Sequence, residues 1–129
     1  GIHPTILTEQ GLGAAVRSLA DRAAIPITVE AGDERYPAAI ETAAYFVVAE
    51  ALNNVAKHAA AGSASVTIDR QNGRLRVEVS DDGCGGAVAT AGGGLQGLAD
   101  RAAAAGASLT LTSEPGAGTT LEVELPCGS

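Results

Sequence analysis

Two stretches of the chain carry apolar residues at the spacing of an α-helix. Between residues 8 and 24 they form one stripe, and Thr8 is suited to cap its start. Between residues 37 and 60 the first half is apolar all round, as in a buried helix, and Pro37 fits the first turn. Gly62 is placed to end this second helix. The pattern therefore predicts two helices, the second of them in the core.

Other stretches alternate apolar and polar residues, as strands with one buried face do. Asn72-Gly73 predicts a tight hairpin turn, because it tolerates positive φ, and residues 114–118 predict another turn. The remaining predicted elements are a helix at 95–105, closed by Gly106, and strands at 26–31, 65–70, 74–80, 108–113 and 119–125. This order predicts an α/β two-layer sandwich, with a mixed, mainly antiparallel sheet and helices on one face.

The second half of the central helix is polar on one side. At about 100° per residue, its polar residues fall within roughly 140° of one another. They are Glu50, Asn53, Asn54, Lys57 and His58. Carboxylate and amide oxygens suit a hard cation such as Mg²⁺, and a lysine suits an anion. This face predicts a metal–polyphosphate site. The alternative is a helix that leaves the core and exposes a solvated end.

Two glycine-rich segments follow the predicted hairpin. Asp81, Gly83 and Gly85 come directly after its second strand, where a carboxylate can accept a hydrogen bond from an exocyclic amine such as adenine N6. The second segment contains Gly92, Gly94, Leu95 and Gly97, just before the third predicted helix. Backbone amides at such a helix start can bind phosphate oxygens. The alternatives are an ordinary Asp-Gly turn and a flexible linker.

Composition narrows the possible functions. The 129 residues fit a single domain, and a net charge of −7 argues against nonspecific binding to nucleic acid or to an anionic membrane. Cys84 and Cys127 lie far apart without metal-ligand spacing, which favours free thiols in a reducing compartment. We find no signal peptide and no membrane-spanning run, and we expect a cytoplasmic domain.

The order of the motifs resembles a known family. Glu50-x-x-x-Asn54, then Asp81-x-Gly83-x-Gly85, then the segment 92–97 resemble the N, G1 and G2 boxes of the GHKL ATPase superfamily, which has the Bergerat ATP-binding fold. Residues 50–59 and 94–101 are most similar to the catalytic ATP-binding domain of sensor histidine kinases of the nitrate-sensor-like subfamily. The start of the chain resembles the junction that leaves their dimerisation helices, so residues 1–7 would be its remnant.

The resemblance implies a role for each motif residue. It implies that Asn54 holds Mg²⁺ across the triphosphate of ATP, that Asp81 accepts from adenine N6, and that Glu50 activates the phosphate acceptor. The other implied contacts are Lys57 and His58 to the phosphates, Gly83 and Gly85 in the pocket floor, Gly92, Gly94, Leu95 and Gly97 around a short lid, and Thr119 or Thr120 near the base. For Glu50 the alternative is a pairing with Lys57 or His58 that only orients the face.

The function implied by the resemblance is transfer of the γ-phosphate of ATP to a histidine. That histidine would lie on the kinase's own dimerisation domain, which would pass the phosphate to a response regulator. One alternative is a serine kinase of the same superfamily that sequesters a sigma factor. Another is a non-catalytic nucleotide-sensing module.

Overall fold

The computed structural model describes most of the chain. The described residues are 5–32, 34–58, 62–82, 100, 103, 106–113 and 118–126, and the side chains of 54, 56–58 and 113 are outside this description. The helices are α1 (Thr5–Gln10), α2 (Leu12–Asp21) and α3 (Ala38–His58), and the strands are β1 (Ile27–Ala31), β2 (Ala64–Gln71), β3 (Arg74–Asp81), β4 (Ser108–Ser113) and β5 (Thr119–Pro126). None of the described helices is long and apolar enough to cross a membrane.

The five strands form one mixed sheet in the order β1-β2-β3-β5-β4. β1 runs parallel to β2, whereas the β2–β3, β3–β5 and β4–β5 pairs are antiparallel. The predicted hairpin turn lies between β2 and β3, with Asn72 at φ 52° and Gly73 at φ 76°. Antiparallel neighbours dominate because only two residues separate β2 from β3 and five separate β4 from β5 in the sequence, which is too few for a parallel crossover. The mixed, mainly antiparallel sheet is therefore confirmed.

The helices cover one face of this sheet, and the core lies between the two layers. Alternate residues of the three central strands are buried, and they pack against the apolar sides of α2 and α3. The largest fully buried side chains are all Leu and Val: Leu7, Leu12, Val16, Val47, Val48, Val66, Leu75, Val77, Val123 and Leu125. The aliphatic core follows from a sequence with one Phe, two Tyr and no Trp. This arrangement confirms the predicted α/β two-layer sandwich.

The first predicted helix differs from the structure. In place of one helix over 8–24, there are two helices separated at Gly11, which has φ 95°. A Cβ at this glycine would lie only 2.7 Å from Cδ of Arg35. At the break, Gly11 therefore packs closely against a residue 24 positions later, a contact of which the apolar stripe gave no sign. α2 also ends earlier than predicted, at Asp21. The Arg22 amide donates to the Leu19 carbonyl, three residues back, instead of continuing the α-helical pattern.

Two other predicted elements fall partly outside the described residues. α3 is described to His58, so the predicted extension to residue 60 is not covered. The third predicted helix, 95–105, is described only at Asp100 and Ala103, where the backbone is helical.

The outer face of the sheet is polar and is organised by Arg76. Its guanidinium pairs with Glu78 at 2.6 Å and Glu122 at 3.0 Å, and lies 3.6 Å from Asp69. These residues occupy the positions between the buried ones on β2, β3 and β5. The alternation of the strands thus separates an apolar helix side from a charged outer side.

A half-buried ion pair lies at the start of α3. Glu41 is the one charged residue of the described chain that is buried, with 3% of its surface exposed. Its carboxylate accepts from Nε and Nη2 of Arg35, at 3.0 and 3.2 Å, and from the Tyr36 amide at 3.3 Å. Nη2 of Arg35 also donates to the Thr8 carbonyl at 3.3 Å. One side-chain pair therefore connects α3 to the end of α1.

We expect Glu41→Ala to destabilise the protein by about 1.5–3 kcal/mol, the range for a hydrogen bond to a charged group. The loss should appear in urea unfolding as a lower midpoint. The matched control is Glu34→Ala, which removes an exposed pair with Arg70 and should cost about 1 kcal/mol or less. Equal losses in the two variants would contradict a special role for the buried carboxylate.

Candidate functional site

The predicted adenine-binding residue, Asp81, is the last residue of β3. It is partly buried and pairs in register with Ala64 on one side and Thr119 on the other. Strand alternation places it on the same side as buried Val79, which is the side covered by the helices. The carboxylate therefore belongs to the end of the sheet that faces the helical layer.

The two candidate threonines lie on opposite faces of β5. Thr119 is opposite Asp81 in the register and shares its helix-facing side. Thr120 is opposite Ser80, and their hydroxyls lie 3.1 Å apart on the outer face. Of the two predicted base contacts, the geometry favours Thr119.

Gly118, which the sequence pattern indicates only as part of a hairpin turn, lies next to the candidate site. It is buried, has φ 79°, and lies directly against the backbone of Asp81 and Asp82. A Cβ here would overlap the Asp81 carbonyl oxygen and lie 3.4 Å from the Asp82 Cα. In the sequence, the only signal for this contact is a glycine just before a strand. That signal is weak, because only the β3–β5 register shows which residues the glycine contacts.

The polar residues of the central helix are carried by α3 as predicted. Its helical backbone runs unbroken through Glu50, Asn54, Lys57 and His58. Glu50 is partly buried, and no ion pair within the described residues involves it. The side chains of Asn54, Lys57 and His58 lie outside the described part, so their predicted contacts, and the alternative pairing of Glu50, stay predictions.

Asn53 lies on the border of this polar face. It lines a mainly apolar cleft between α3, the end of α2 and the segment that leads to β1. The other α3 residues of that cleft are Tyr45, Ala49, Leu52 and Val55. Arg22 is the charged residue of that lining, and its Nε donates to the Ser18 carbonyl at 3.4 Å. Asn53 therefore borders a mainly apolar cleft with one cationic side chain, and its part in a polyphosphate site stays a prediction.

Asp82 connects the end of β3 to the segment that follows α3. Its Oδ1 accepts from the amides of Gly62 at 2.8 Å and Ser63 at 3.0 Å, and its Oδ2 accepts from the Ser63 hydroxyl at 3.0 Å. These bonds stabilise the charged form. They lower the pKa of Asp82, with the Ser63 amide as the largest cause, then the Ser63 hydroxyl and the Gly62 amide.

The remaining predicted site residues cannot be compared with the structure. Gly83, Gly85, Gly92, Gly94, Leu95 and Gly97 lie outside the described residues. Their predicted contacts to adenine and to the phosphates stay predictions.

Comparison with known proteins identifies the family. Residues 39–129 match the family model described as histidine kinase-, DNA gyrase B- and HSP90-like ATPase. The sensor histidine kinase MctS of Rhizobium johnstonii is 35% identical over 137 residues, covering 97% of this chain and 30% of that protein. The sensor histidine kinase NarS of Mycobacterium tuberculosis is 37% identical over 138 residues, covering 97% of this chain and 32% of that protein.

A solved structure shows the same fold. The blue-light activated histidine kinase of Erythrobacter litoralis EL346 matches with a TM-score of 0.72 and 26% identity, over 90% of this chain and 39% of that chain. This chain belongs to the histidine kinase-, DNA gyrase B- and HSP90-like ATPase family. Within it, the chain resembles the ATP-binding domain of sensor histidine kinases, and it spans about a third of the length of MctS and NarS. The predicted resemblance and fold class are confirmed.

We expect Gly118→Ala to lower nucleotide affinity by displacing Asp81. The loss should be about 10- to 150-fold, equivalent to a charged hydrogen bond of roughly 1.5–3 kcal/mol. The measurement is calorimetric titration with ADP, accompanied by a thermal melt.

The control for this variant is Gly106→Ala. Gly106 also has positive φ, 73°, so alanine is strained there too, but among the described residues its Cβ would meet only Pro126, at 3.9 Å. Both variants should melt earlier, while only the change at Gly118 should weaken ADP binding. If the two variants bind ADP equally well, the contact of Gly118 with Asp81 is unimportant for the site.

The lowered pKa of Asp82 predicts a specific pH dependence of stability. A carboxyl whose folded-state pKa is depressed contributes stability above its unfolded pKa and loses it as the pH falls through the folded value. The melting temperature of the wild type should therefore exceed that of Asp82→Asn by a constant amount above about pH 5, and the difference should shrink below about pH 4. A difference that persists unchanged into acid would show that the charge of Asp82 is not responsible.

Proposed function

We propose that this chain binds Mg²⁺·ATP between the polar face of α3 and the Asp81 end of β3, and transfers the γ-phosphate to a histidine of a dimerisation domain. The single observation that carries the proposal is the position of Asp81. It ends a central strand on the helix-facing side, next to Thr119, and Asp82 ties this strand end to the segment after α3. The site would thus lie where the two motif-bearing elements converge.

Adenine would bind at the end of β3. The Asp81 carboxylate has no proton to donate at neutral pH, so it selects a ligand edge that offers an N–H, such as adenine N6. Thr119 lies beside it on the same side of the sheet, and Gly118 allows β5 to approach closely. Gly83 and Gly85 would complete the pocket floor, as the resemblance implies.

The phosphates would lie against the second half of α3. Lys57 and His58 would supply positive charge and hydrogen-bond donors, and the glycine segment with Gly92, Gly94, Leu95 and Gly97 would supply backbone amides and a lid. These donors are local, which is consistent with binding of a polyanion by a chain of net charge −7.

The residues of α3 also fit one bound Mg²⁺. Within the described residues no three carboxylate, imidazole or thiol groups come together as a metal site. Mg²⁺ in nucleotide enzymes commonly uses one or two protein oxygens and takes its other ligands from phosphates and water, so the Asn54 amide oxygen is a sufficient protein ligand. The ion would neutralise phosphate charge during transfer.

Glu50 is the candidate base. It precedes Asn54 by one helical turn on the same side of α3, so it would lie near the γ-phosphate without contacting adenine. Its carboxylate can take a proton from the attacking imidazole or orient it. The dimerisation domain and a response regulator are the proposed partners, and relatives named sensor histidine kinases support them over the sigma-factor alternative.

The proposal is tested first by Asp81→Asn. The amide replaces one acceptor oxygen with a donor that opposes the adenine amine, so ATP or ADP affinity should fall by about 1.5–3 kcal/mol. Calorimetric titration measures this directly. Asp21→Asn removes the same charge from the exposed end of α2 and should bind like the wild type. Equal affinity of the Asp81 variant and the wild type would exclude Asp81 as the adenine acceptor.

The variant Glu50→Gln distinguishes a general base from a residue that only orients the polar face of α3. The amide keeps the shape and hydrogen bonding of Glu50 but cannot accept a proton. We expect near-normal ATP affinity, while phosphotransfer to a supplied dimerisation domain falls by roughly 10²–10⁴. Phosphotransfer that survives within a few fold would make Glu50 a structural residue. No transfer by the wild type, together with normal ATP binding, would favour a non-catalytic nucleotide-sensing module.

A further inference from the structure

The Ser63–Asp82 clamp consists of the hydrogen bonds between Asp82 and residues 62–63. The carboxylate of Asp82 accepts three of them, from the Gly62 amide, the Ser63 amide and the Ser63 hydroxyl. In the other direction the Asp82 amide donates to the Ser63 carbonyl at 3.3 Å. Two segments 19 residues apart in sequence are therefore bound by both backbone and side chain.

The clamp does more than continue the β2–β3 ladder. The ladder ends at the Ala64–Asp81 pair, and the backbone bond from Asp82 to Ser63 extends it by one step. The carboxylate reaches further, to the amide of Gly62, on the side of the chain that leads back to α3. Within the described residues, this side chain makes the one hydrogen bond that connects Gly62 to the end of β3.

The position of the clamp relates it to both halves of the proposed nucleotide site. On one side, Asp82 directly follows Asp81, the proposed adenine acceptor. On the other side, Gly62 follows the last described residue of α3, His58, by four positions. The same strand end packs closely against Gly118, where a Cβ would overlap the Asp81 carbonyl oxygen.

We propose that Asp82 is a positioning residue that sets the distance between the adenine half of the site on β3 and the phosphate half on α3. This inference rests on the proposed function. In the proposed site Asp82 contacts neither adenine nor phosphate, and its two carboxylate oxygens accept hydrogen bonds from residues 62–63 instead. A ligand that spans both halves depends on their separation, whereas a ligand held by one half does not.

The test compares two ligands on three variants. Mg²⁺·ATP spans the whole site, and adenosine uses only the adenine half. Asp82→Ala should weaken Mg²⁺·ATP binding by roughly tenfold and adenosine binding much less, since a displacement near 1 Å is costly mainly for a ligand that must fit both halves. Asp82→Asn should restore most of the affinity, because its amide oxygen can accept from both backbone amides and its NH₂ can donate to the Ser63 hydroxyl.

The controls separate positioning from general instability. Asp21→Ala removes an equivalent charge at an exposed helix end and should leave both ligands unaffected. If Asp82→Ala does not fold, Ser63→Ala removes only the hydroxyl arm of the clamp and should give a smaller selective loss of Mg²⁺·ATP affinity. Amide hydrogen exchange at Gly62 and Ser63 should accelerate in Asp82→Ala and return toward the wild-type rate in Asp82→Asn.

Each outcome decides the inference. Unchanged Mg²⁺·ATP affinity in Asp82→Ala overturns it, and so does an equal loss for both ligands, which would indicate a merely structural role. If the wild type binds both adenosine and Mg²⁺·ATP, either of these two results leaves the proposed function intact. A wild type that binds neither ligand overturns the proposed function, and the positioning role with it.

Discussion

The register of β3 between β2 and β5 is the constraint on which the rest of the structure depends. It places Ala64, Asp81 and Thr119 side by side at one end of the sheet, with Asp81 on the helix side. Because side chains alternate along a strand, a slip of one residue would move the core residues Val77 and Val79 to the outer face. It would also move the Asp81 carboxylate away from α3. Burial of the apolar face therefore fixes the site as well as the core.

α3 connects this core to the candidate site. Its first half is held by buried Ala44, Val47 and Val48, and its start by the Glu41–Arg35 pair. The second half carries Glu50 and the polar residues of the N box on the same rigid helix. A site built across a helix and a strand needs a fixed distance between them. The sheet contacts of α3 set that distance broadly, and the Ser63–Asp82 clamp would set it locally.

Charge is distributed over the fold in a way that suits a nucleotide site on one side only. The outer face of the sheet collects carboxylates around Arg76, where Asp69, Glu78 and Glu122 compete for one guanidinium. An anionic ligand would be disfavoured there. The helix-facing end of β3 has no comparable ion-pair cluster within the described residues. Electrostatics and strand alternation thus favour the same side.

The sequence by itself determined the elements and their motifs, because periodicity, the Asn72-Gly73 turn and the order of the three boxes are local properties of the chain. Those features were enough to predict the two-layer sandwich and the ATPase family. Only the tertiary structure showed the break at Gly11, the shared face of Asp81 and Thr119, and the contacts of Gly118 and Asp82. Each involves a partner far away in sequence: Arg35, the β3–β5 register, the Asp81 backbone and residues 62–63. Such contacts arise from packing and register, which no local pattern encodes.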